Sequence, residues 1–362
     1  MRRIRVLVVD DSVVIRRLLT DALSRDPEIE VVGTAPNGRI ALVKLPQLCP
    51  DLLTLDVEMP ELDGLEMLPL LRKDYPKLPV IMFSTLTERG AAATFDALAR
   101  GATDFVAKPA NVGNVAAGFQ NVKDQLIPKI KALCPSVPPA MSATAQVSRP
   151  LRWNLNRPVP GEPKRRDVIV IGSSTGGPQA LAVLLGKLPA NFPVPIAVVQ
   201  HMPPVFTRHL AARLNQVSLL TVREAAAGDS LRPGLALVAP GGRHMELERR
   251  GVVVTTVLHE GPPENSCRPA VDVLFRSAAA VFGPGCLAVV LTGMGRDGLR
   301  GGEWVVRSGG TVVAQDEASS VVWGMPRAVT EAGLAAQTLP LDSIAPNLLQ
   351  AAAVGRRPVI NC

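Results

Sequence analysis

Short apolar runs that stop abruptly at an acid, a serine, a lysine or a glycine recur along this chain, and stretches of helical spacing fill the gaps. That alternation constrains the fold more than any other feature, because strands separated by helices build a parallel sheet. Arg5–Val9 stops at Asp10 and Asp11, Leu52–Leu55 at Asp56, Val80–Phe83 at Ser84, and Asp104–Ala107 at Lys108. Glu30–Gly33 supplies a further strand, and Ile15, Leu18, Leu19, Ala22 and Leu23 repeat at helical spacing. Five strands and their helices predict a doubly wound parallel sheet over about residues 3–130. Residues 135–163 break the pattern with seven prolines in 29 residues, the composition of a semi-extended linker. A second series then begins at Asp167–Ile171. It continues with a helix over 177–187, strand Pro195–Val199, a helix near 205–215 and a β-rich stretch over 219–258. A helix over 270–282, strand Leu287–Leu291, a helix over 297–308 and strand Thr311–Ala314 close it. The expected fold class is α/β with two doubly wound domains, at 1–130 and 166–362, joined by a linker at 131–165. The first has a five-stranded parallel sheet and the second a mostly parallel one.

Composition narrows the function. Hydrophobic residues are 47% and charged residues 20% of the 362, a globular balance rather than a disordered one. The net charge of +7 raises the question of nucleic acid, but Arg149, Arg152, Arg157, Lys164, Arg165 and Arg166 against Glu162 place +5 of it in the short stretch from Arg149 to Arg166, in and beside the linker. A basic linker is a weaker signal for DNA than a basic folded face, so no nucleic acid partner is expected. The linker serves as a hinge or touches an acidic surface. Cys49, Cys134, Cys267, Cys286 and Cys362 form no C-x-x-C pair, which fits a reducing compartment and argues against a structural zinc site. No run of about 18 apolar residues exists to span a membrane, and the basic N-terminus meets Asp10 too soon for a signal peptide. A cytoplasmic protein, without membrane insertion, is expected.

On open parallel sheets, ligands sit at the carboxyl ends of the strands. In the first domain that edge collects Asp10, Asp11, Asp56, Ser84 and Lys108. Three carboxylates repel one another and call for a cation, and oxygen ligands with room for water suit Mg²⁺. A carboxylate beside Mg²⁺ and a lysine can attack phosphorus and hold the phosphoryl group, and the Ser84 hydroxyl could bond one of its oxygens. Singly, each of these residues reads equally well as a turn or helix cap.

In the second domain Gly172-Ser173-Ser174-Thr175-Gly176-Gly177 is a strand running into a glycine-rich turn and a helix. As a dinucleotide fingerprint it fails at the middle position, where the Ser174 side chain obstructs a pyrophosphate, and the next strand ends in Gln200-His201 rather than an acid. As G-x-S-x-G, from Gly172 to Gly176, it presents Ser174 at a strand end with helix N–H groups nearby for an oxyanion. The serine needs a base. His209, in a helix beside Arg208, is expected on the surface, and His244 and His259 lie in the β-rich stretch; only His201 shares the strand-end placement. Asp297 follows Leu287–Leu291 through the turn Thr292-Gly293-Met294-Gly295 and could orient His201, making Ser174, His201 and Asp297 a plausible triad. Each turn alone could be no more than a helix cap.

Together the motifs resemble known families. Val8–Ser12, Leu55–Pro60 with Asp63-Gly64, Phe83-Ser84, and Gly101-Ala102 leading to Lys108-Pro109 resemble the response-regulator receiver domain, which is flavodoxin-like, over about 1–125. That resemblance implies phosphorylation of Asp56 by a CheA-type histidine kinase, with Mg²⁺ held by Asp10, Asp11, Asp56 and the Glu58 carbonyl. Phe105 falls where receivers often carry a switching aromatic, and packing explains it equally well. Gly172–Gly177, Gln200–Pro203, Ala239–His244, Arg268-Pro269 with Val271–Phe275, Leu291–Gly298 and Gly324–Arg327 resemble the CheB methylesterase domain over about 167–350. This implies that Ser174 is the nucleophile, His201 the base and Asp297 its orienter, with Thr175 and Met294 at the oxyanion site. The expected activity is hydrolysis of glutamate γ-methyl esters on methyl-accepting chemoreceptors, with deamidation of their glutamines and no esterase cofactor. The receiver is expected to block that site until Asp56 is phosphorylated, and the chain to be a monomer. Ser173 departs from the family's usual alanine; alternation along the strand points Ser173 and Ser174 to opposite sides. Rival readings are a DNA-binding response regulator, which lacks a basic recognition helix here, and a nicotinamide oxidoreductase, disfavoured by Ser174.

Overall fold

The computed structural model describes residues 2–108, 119–120, 122–135 and 165–355. Most of the linker, Pro109 and Cys362 lie outside the described residues. The first series forms β1 (Ile4–Val9), α1 (Val13–Leu23), β2 (Ile29–Ala35), α2 (Gly38–Leu48), β3 (Leu52–Asp56), α3 (Gly64–Asp74), β4 (Val80–Ser84), α4 (Glu88–Ala99) and β5 (Asp104–Ala107). A π-turn at Val122–Leu126 leads into α5 (Ile127–Leu133). The strands lie in the order β2-β1-β3-β4-β5, all parallel. Because helices cover both faces, β3, β4 and β5 are buried along their whole length and carry continuous apolar runs.

Local chemistry fixes the helix starts. Ser12 caps α1 by accepting from the Ile15 N–H, and the five residues at helical spacing are all buried. Asp63 and Glu66 form a reciprocal capping box on α3. Gly64 follows Asp63 because a Cβ there would lie 2.2 Å from the Asp56 carbonyl oxygen. Only glycine lets α3 start so close to the end of β3.

The second domain comprises β6 (Val168–Ser173), α6 (Gly177–Gly186), β7 (Ile196–Gln200), α7 (Phe206–Val217), β8 (Thr221–Glu224), β9 (Leu235–Val238), β10 (His244–Arg250) and β11 (Val253–His259). It continues with α8 (Val271–Phe282), β12 (Cys286–Val290), α9 (Leu299–Arg307), β13 (Thr311–Gln315), α10 (Met325–Glu331), β14 (Ala335–Leu339) and α11 (Leu341–Ala353). Its seven-stranded sheet runs β14-β13-β12-β6-β7-β9-β8, with every pairing parallel. The β-rich stretch divides: β8 and β9 extend this sheet, while β10 and β11 pair as a separate antiparallel ribbon.

The series does not close at Thr311–Ala314. α10, β14 and α11 follow it. β14 is an edge strand, Ala-Ala-Gln-Thr-Leu, with no fully buried residue, so it carries no apolar run to recognise. α11 contains Pro346, which interrupts the usual helical signal.

The two domains pack directly. Phe105 of β5 stacks on Phe206 of α7, centroids 4.5 Å apart and planes 14° from parallel, and Phe95 of α4 flanks the same ring at 6.5 Å. Glu88 at the start of α4 pairs with Arg208 at 3.0 Å and with His209 at 2.7 Å. Gln179 of α6 donates to the Ala102 carbonyl at 3.0 Å. One hydrophobic cluster runs through both domains here. His209, expected on the surface, is therefore half-buried, held by an acid of the other domain.

Candidate functional site

Two strand-end sites result. In the first domain β1, β3, β4 and β5 deliver Asp10, Asp56, Ser84 and Lys108 to one edge, and all but Lys108 are buried. Lys108 Nζ lies 2.9 Å from Asp10 Oδ2 and 2.7 Å from Asp56 Oδ2. Burial and the neighbouring Asp10 charge push the Asp56 carboxyl up to about 6, against the pull of Lys108. Asp10 is raised as well, chiefly by burial. Asp11 stays exposed, yet Asp10, Asp11 and Asp56 each bring a carboxylate oxygen within 4.8 Å of the others. Three carboxylates against one lysine leave excess negative charge, which suits a hard divalent cation. A cavity of about 230 Å³ opens here, lined by Asp11, Asp56, Glu58, Ser84 and Lys108 among others. The Glu58 side chain turns away to Arg89 at 3.0 Å. The Ser84 hydroxyl donates to the Gly90 carbonyl at 3.0 Å. Phe105 is buried against Phe206, so its packing extends across the domain contact.

In the second domain β6 and β7 are neighbours, with Ser173 opposite Gln200, so Ser174 and His201 follow at adjacent strand ends. The sequence turns sharply at Gly176, whose φ of 75° favours glycine, and a Cβ on Gly177 would lie 2.0 Å from Gln200 Oε1. Gln200 clamps the turn: its Oε1 accepts from the Ser173 hydroxyl at 2.7 Å, and its Nε2 donates to the Ser174 carbonyl at 2.9 Å. Ser173 thus points into the protein and is fully buried, while Ser174 remains partly open.

Asp297 reaches His201 from the third strand end, that of β12, with Oδ2 2.8 Å from Nε2. The same oxygen accepts from the Val271 N–H at 2.7 Å. Oδ1 accepts from the Asp272 N–H at 3.0 Å, the Gly298 N–H at 3.0 Å and Asn265 Nδ2 at 2.9 Å. Burial alone would raise this carboxyl, but His201 and the N–H donors outweigh it and hold it below its ordinary value. Burial likewise disfavours a charged His201, yet the Asp297 hydrogen bond and the contact with Cys267 prevail, and the ring is more basic than usual. The structure brings His201 and Asp297 together; among the described residues, none hydrogen-bonds the Ser174 hydroxyl. Thr175 is buried, with its hydroxyl unpartnered and its carbonyl accepting from Thr292 Oγ1 at 2.9 Å. Met294 is half-buried in the turn after β12.

Comparison with known proteins bears on both sites. The CheB methylesterase family model matches residues 169–348, and the response regulator receiver domain matches residues 6–119. A protein-glutamate methylesterase/protein-glutamine glutaminase of Nocardioides sp. is 54% identical, covering 97% of this chain and 96% of its own. One of that name from Trichodesmium erythraeum is 50% identical, covering 97% and 99%. The chain belongs to the CheB methylesterase family. The crystal structure of the Thermotoga maritima CheB methylesterase catalytic domain is 45% identical, with a TM-score of 0.51, covering 52% of this chain and 99% of that one.

Three parts of this CheB-family site were not legible in the sequence. Gln200 stands in the sequence only as His201's neighbour. Asn265 ties Asp297 to the buried Asp272 through one amide, donating to both at 2.9 Å. Asp272 in turn accepts from the Gly298 and Gly301 N–H groups at 2.9 and 2.7 Å, fixing the start of α9. Cys267 sits beside His201 and Asp297, its sulfur within 4.8 Å of their facing atoms. Asn265 and Cys267 lie in a tight turn directly before Arg268-Pro269, where no periodicity marks them; proximity to that motif was the one available signal.

Proposed function

We propose that this chain is a phosphorylation-activated chemotaxis methylesterase. Ser174 attacks a glutamate γ-methyl ester on a chemoreceptor, methanol leaves, and water frees the carboxylate. The same attack on a glutamine amide releases ammonia and gives deamidation. His201 takes the Ser174 proton and returns it to the leaving group. Asp297 holds the ring in its Nε2–H form and stabilises the imidazolium that develops. Thr175 and Met294 flank the oxyanion position. The observation that carries this reading is the His201–Asp297 pair at 2.8 Å, its carboxylate locked by three backbone N–H groups, one strand from the Ser174 turn.

Asp56 is the phosphoryl acceptor for a CheA-type histidine kinase. Asp10, Asp11, Asp56 and the Glu58 carbonyl would hold Mg²⁺, which supplies charge neutralisation there. Lys108 offsets charge on the acceptor oxygens, and Ser84 would exchange its Gly90 partner for a phosphoryl oxygen. The receiver packs on α6 and α7, the helices that leave the Ser174 and His201 strand ends. Phosphorylation would act by shifting the balance between that docked arrangement and another. A monomer working in the cytoplasm suits these roles.

The test is methanol release from methylated receptor membranes, with and without a small phosphodonor plus Mg²⁺. Release should rise with the phosphodonor and vanish in Ser174→Ala. Equal activity of the full chain and the isolated 166–362 domain would remove the regulatory half of the proposal. No release under any condition would remove the enzymatic half.

A further inference from the structure

His201, Cys267 and Asp297 belong to three separate segments, yet each presents a ligand-type atom within 4.8 Å of the other two. Cys267 is a free thiol and only half-buried, and the His201 side chain retains 12% of its exposure. The turn that carries Cys267 is pinned at several points. Glu264 and Cys267 exchange backbone hydrogen bonds at 2.8 and 3.1 Å. Asn265 and Ser266 take left-handed conformations, with φ of 52° and 62°. Asn265 is tied to Asp297, and Glu264 receives both arms of Arg276 at 2.8 and 2.6 Å. The thiol is therefore held in place, not passing by on a loose loop.

We propose that these three residues form an inhibitory binding site for a thiophilic divalent cation, with Zn²⁺ as the fitting ion. The inference rests on the reading of His201 as the base. Sulfur, imidazole nitrogen and carboxylate oxygen form a borderline-soft set that favours Zn²⁺ over Mg²⁺. A tetrahedral ion holds such ligand atoms roughly 3.3–3.6 Å apart. His201 Nε2 and Asp297 Oδ2 stand 2.8 Å apart around one proton. The ring needs to retreat by only about half an ångström for the ion to replace that proton. Asp297 keeps its backbone donors throughout, and the fourth position stays open to water.

The consequence for chemistry follows from proton bookkeeping. With the cation on Nε2, the neutral ring must carry its hydrogen on Nδ1. Nδ1 then donates and cannot accept the Ser174 proton. The Cys267 thiol loses its proton to become a ligand, so one proton is released for each ion bound to the neutral-ring form, and a second where the ring starts as imidazolium. Removal of the ion by a chelator returns that proton and restores the base.

The experiment uses the full chain in saturating Mg²⁺, which occupies the receiver's carboxylates, and Co²⁺ as a spectroscopic stand-in for Zn²⁺. One Co²⁺ per chain should give the intense visible bands of a tetrahedral site and a near-ultraviolet thiolate charge-transfer band. Both should be displaced by Zn²⁺ and be absent in Cys267→Ala and His201→Ala. Asp56→Asn should leave them intact. Zn²⁺ should abolish methanol release reversibly, and Cys267→Ser, normalised to its own metal-free rate, should need at least about tenfold more Zn²⁺, since even an indirect partner of a metal ligand is worth about that much. A charge-transfer band that survives in Cys267→Ala, or only the weak spectrum of octahedral Co²⁺ in the wild type, would overturn the proposal. The spectra stand whether or not the chain hydrolyses receptor esters, so failure of the enzymatic reading and failure of the metal site are separately visible.

Discussion

Asp56→Asn should stabilise the receiver, and by an amount that depends on pH in a defined way. The Asp56 carboxyl is 5% exposed and is displaced from 3.8 to about 6, first by burial and then by Asp10, with Lys108 opposing. The folded state therefore binds this proton more tightly than the unfolded state does. Between about pH 4 and 6 the native protein holds more protons, so stability falls as pH rises through that window. Above it the full penalty of a charged Asp56 is present; below it the penalty is gone. At about 1.4 kcal/mol for each tenfold change in proton affinity, the gap corresponds to ~3 kcal/mol. Asp10 shares Lys108 and is itself raised, so the two titrate together and a gain of about 2 kcal/mol is the working expectation. Asparagine keeps the shape of the side chain and removes the charge.

The three tryptophans, Trp153, Trp304 and Trp323, all lie beyond the receiver, so their fluorescence does not report it. Amide hydrogen exchange of the Leu52–Asp56 strand in the full chain does, once corrected for the intrinsic pH dependence of exchange. Without divalent cations at pH 8, exchange in Asp56→Asn should slow by roughly thirtyfold, the equivalent of about 2 kcal/mol. At pH 4 the two proteins should match. Saturating Mg²⁺ should slow exchange in the wild type far more than in the variant. Equal exchange at pH 8, or a difference that persists unchanged at pH 4, would refute the account of Asp56 as a buried, repelled charge.

Three further outcomes follow from the geometry. Because His201 is held above its ordinary value, the base form appears only as pH rises, and the acid limb of kcat/KM should lie above pH 6.5; Asp297→Asn should move it down and cut kcat by roughly 10³–10⁴-fold, as loss of an orienting carboxylate does in other triads. Gly177→Ala should place a methyl group on Gln200 Oε1, break its clamp on Ser173 and Ser174, and lower kcat with little change in KM, measured on the folded protein after circular dichroism confirms its sheet. Glu88→Gln should weaken the ion pairs to Arg208 and His209 across the domain contact, altering stability by less than about 1 kcal/mol because Glu88 and Arg208 are exposed and His209 is only partly buried. It should also raise methanol release by the unphosphorylated chain toward the phosphorylated rate.

Strand ends were legible because a buried parallel strand must be apolar and must then stop. Asp56, Ser84, Lys108, Ser174 and His201 could all be found by asking where an apolar run meets a polar residue. Asp297 was harder, since six residues of glycine-rich turn separate it from β12, yet the turn itself marked the place. β14 and α11 left no trace of this kind: the edge strand is not buried, and the helix carries a proline. Asn265 and Cys267 were hidden for another reason. They act from a turn whose position depends on the Glu264–Arg276 pair and on Asp297, contacts that exist only once the chain is folded.

The two sites are linked by short stretches of chain that meet at the domain contact. Phe105 is three residues from Lys108, which touches Asp56 at 2.7 Å. Phe206 is five residues from His201, which touches Asp297 at 2.8 Å. The stacked rings therefore join two strand ends through no more than eight residues of backbone in all. Ser84 adds a second line: its hydroxyl holds the Gly90 carbonyl in the first turn of α4, the same turn that carries Glu88 to Arg208 and His209. If, as proposed, a phosphoryl group recruits Ser84, the hydroxyl must leave the Gly90 carbonyl, which Thr94 Oγ1 also holds at 2.7 Å. Burial of Phe105 and Phe206 resists any change in β5 that does not also move α7, because packed rings have no empty space in which to yield. The polar turn and the stacked rings both meet the first turn of α7, so under the proposed regulation a change at Asp56 would reach His201 through that turn.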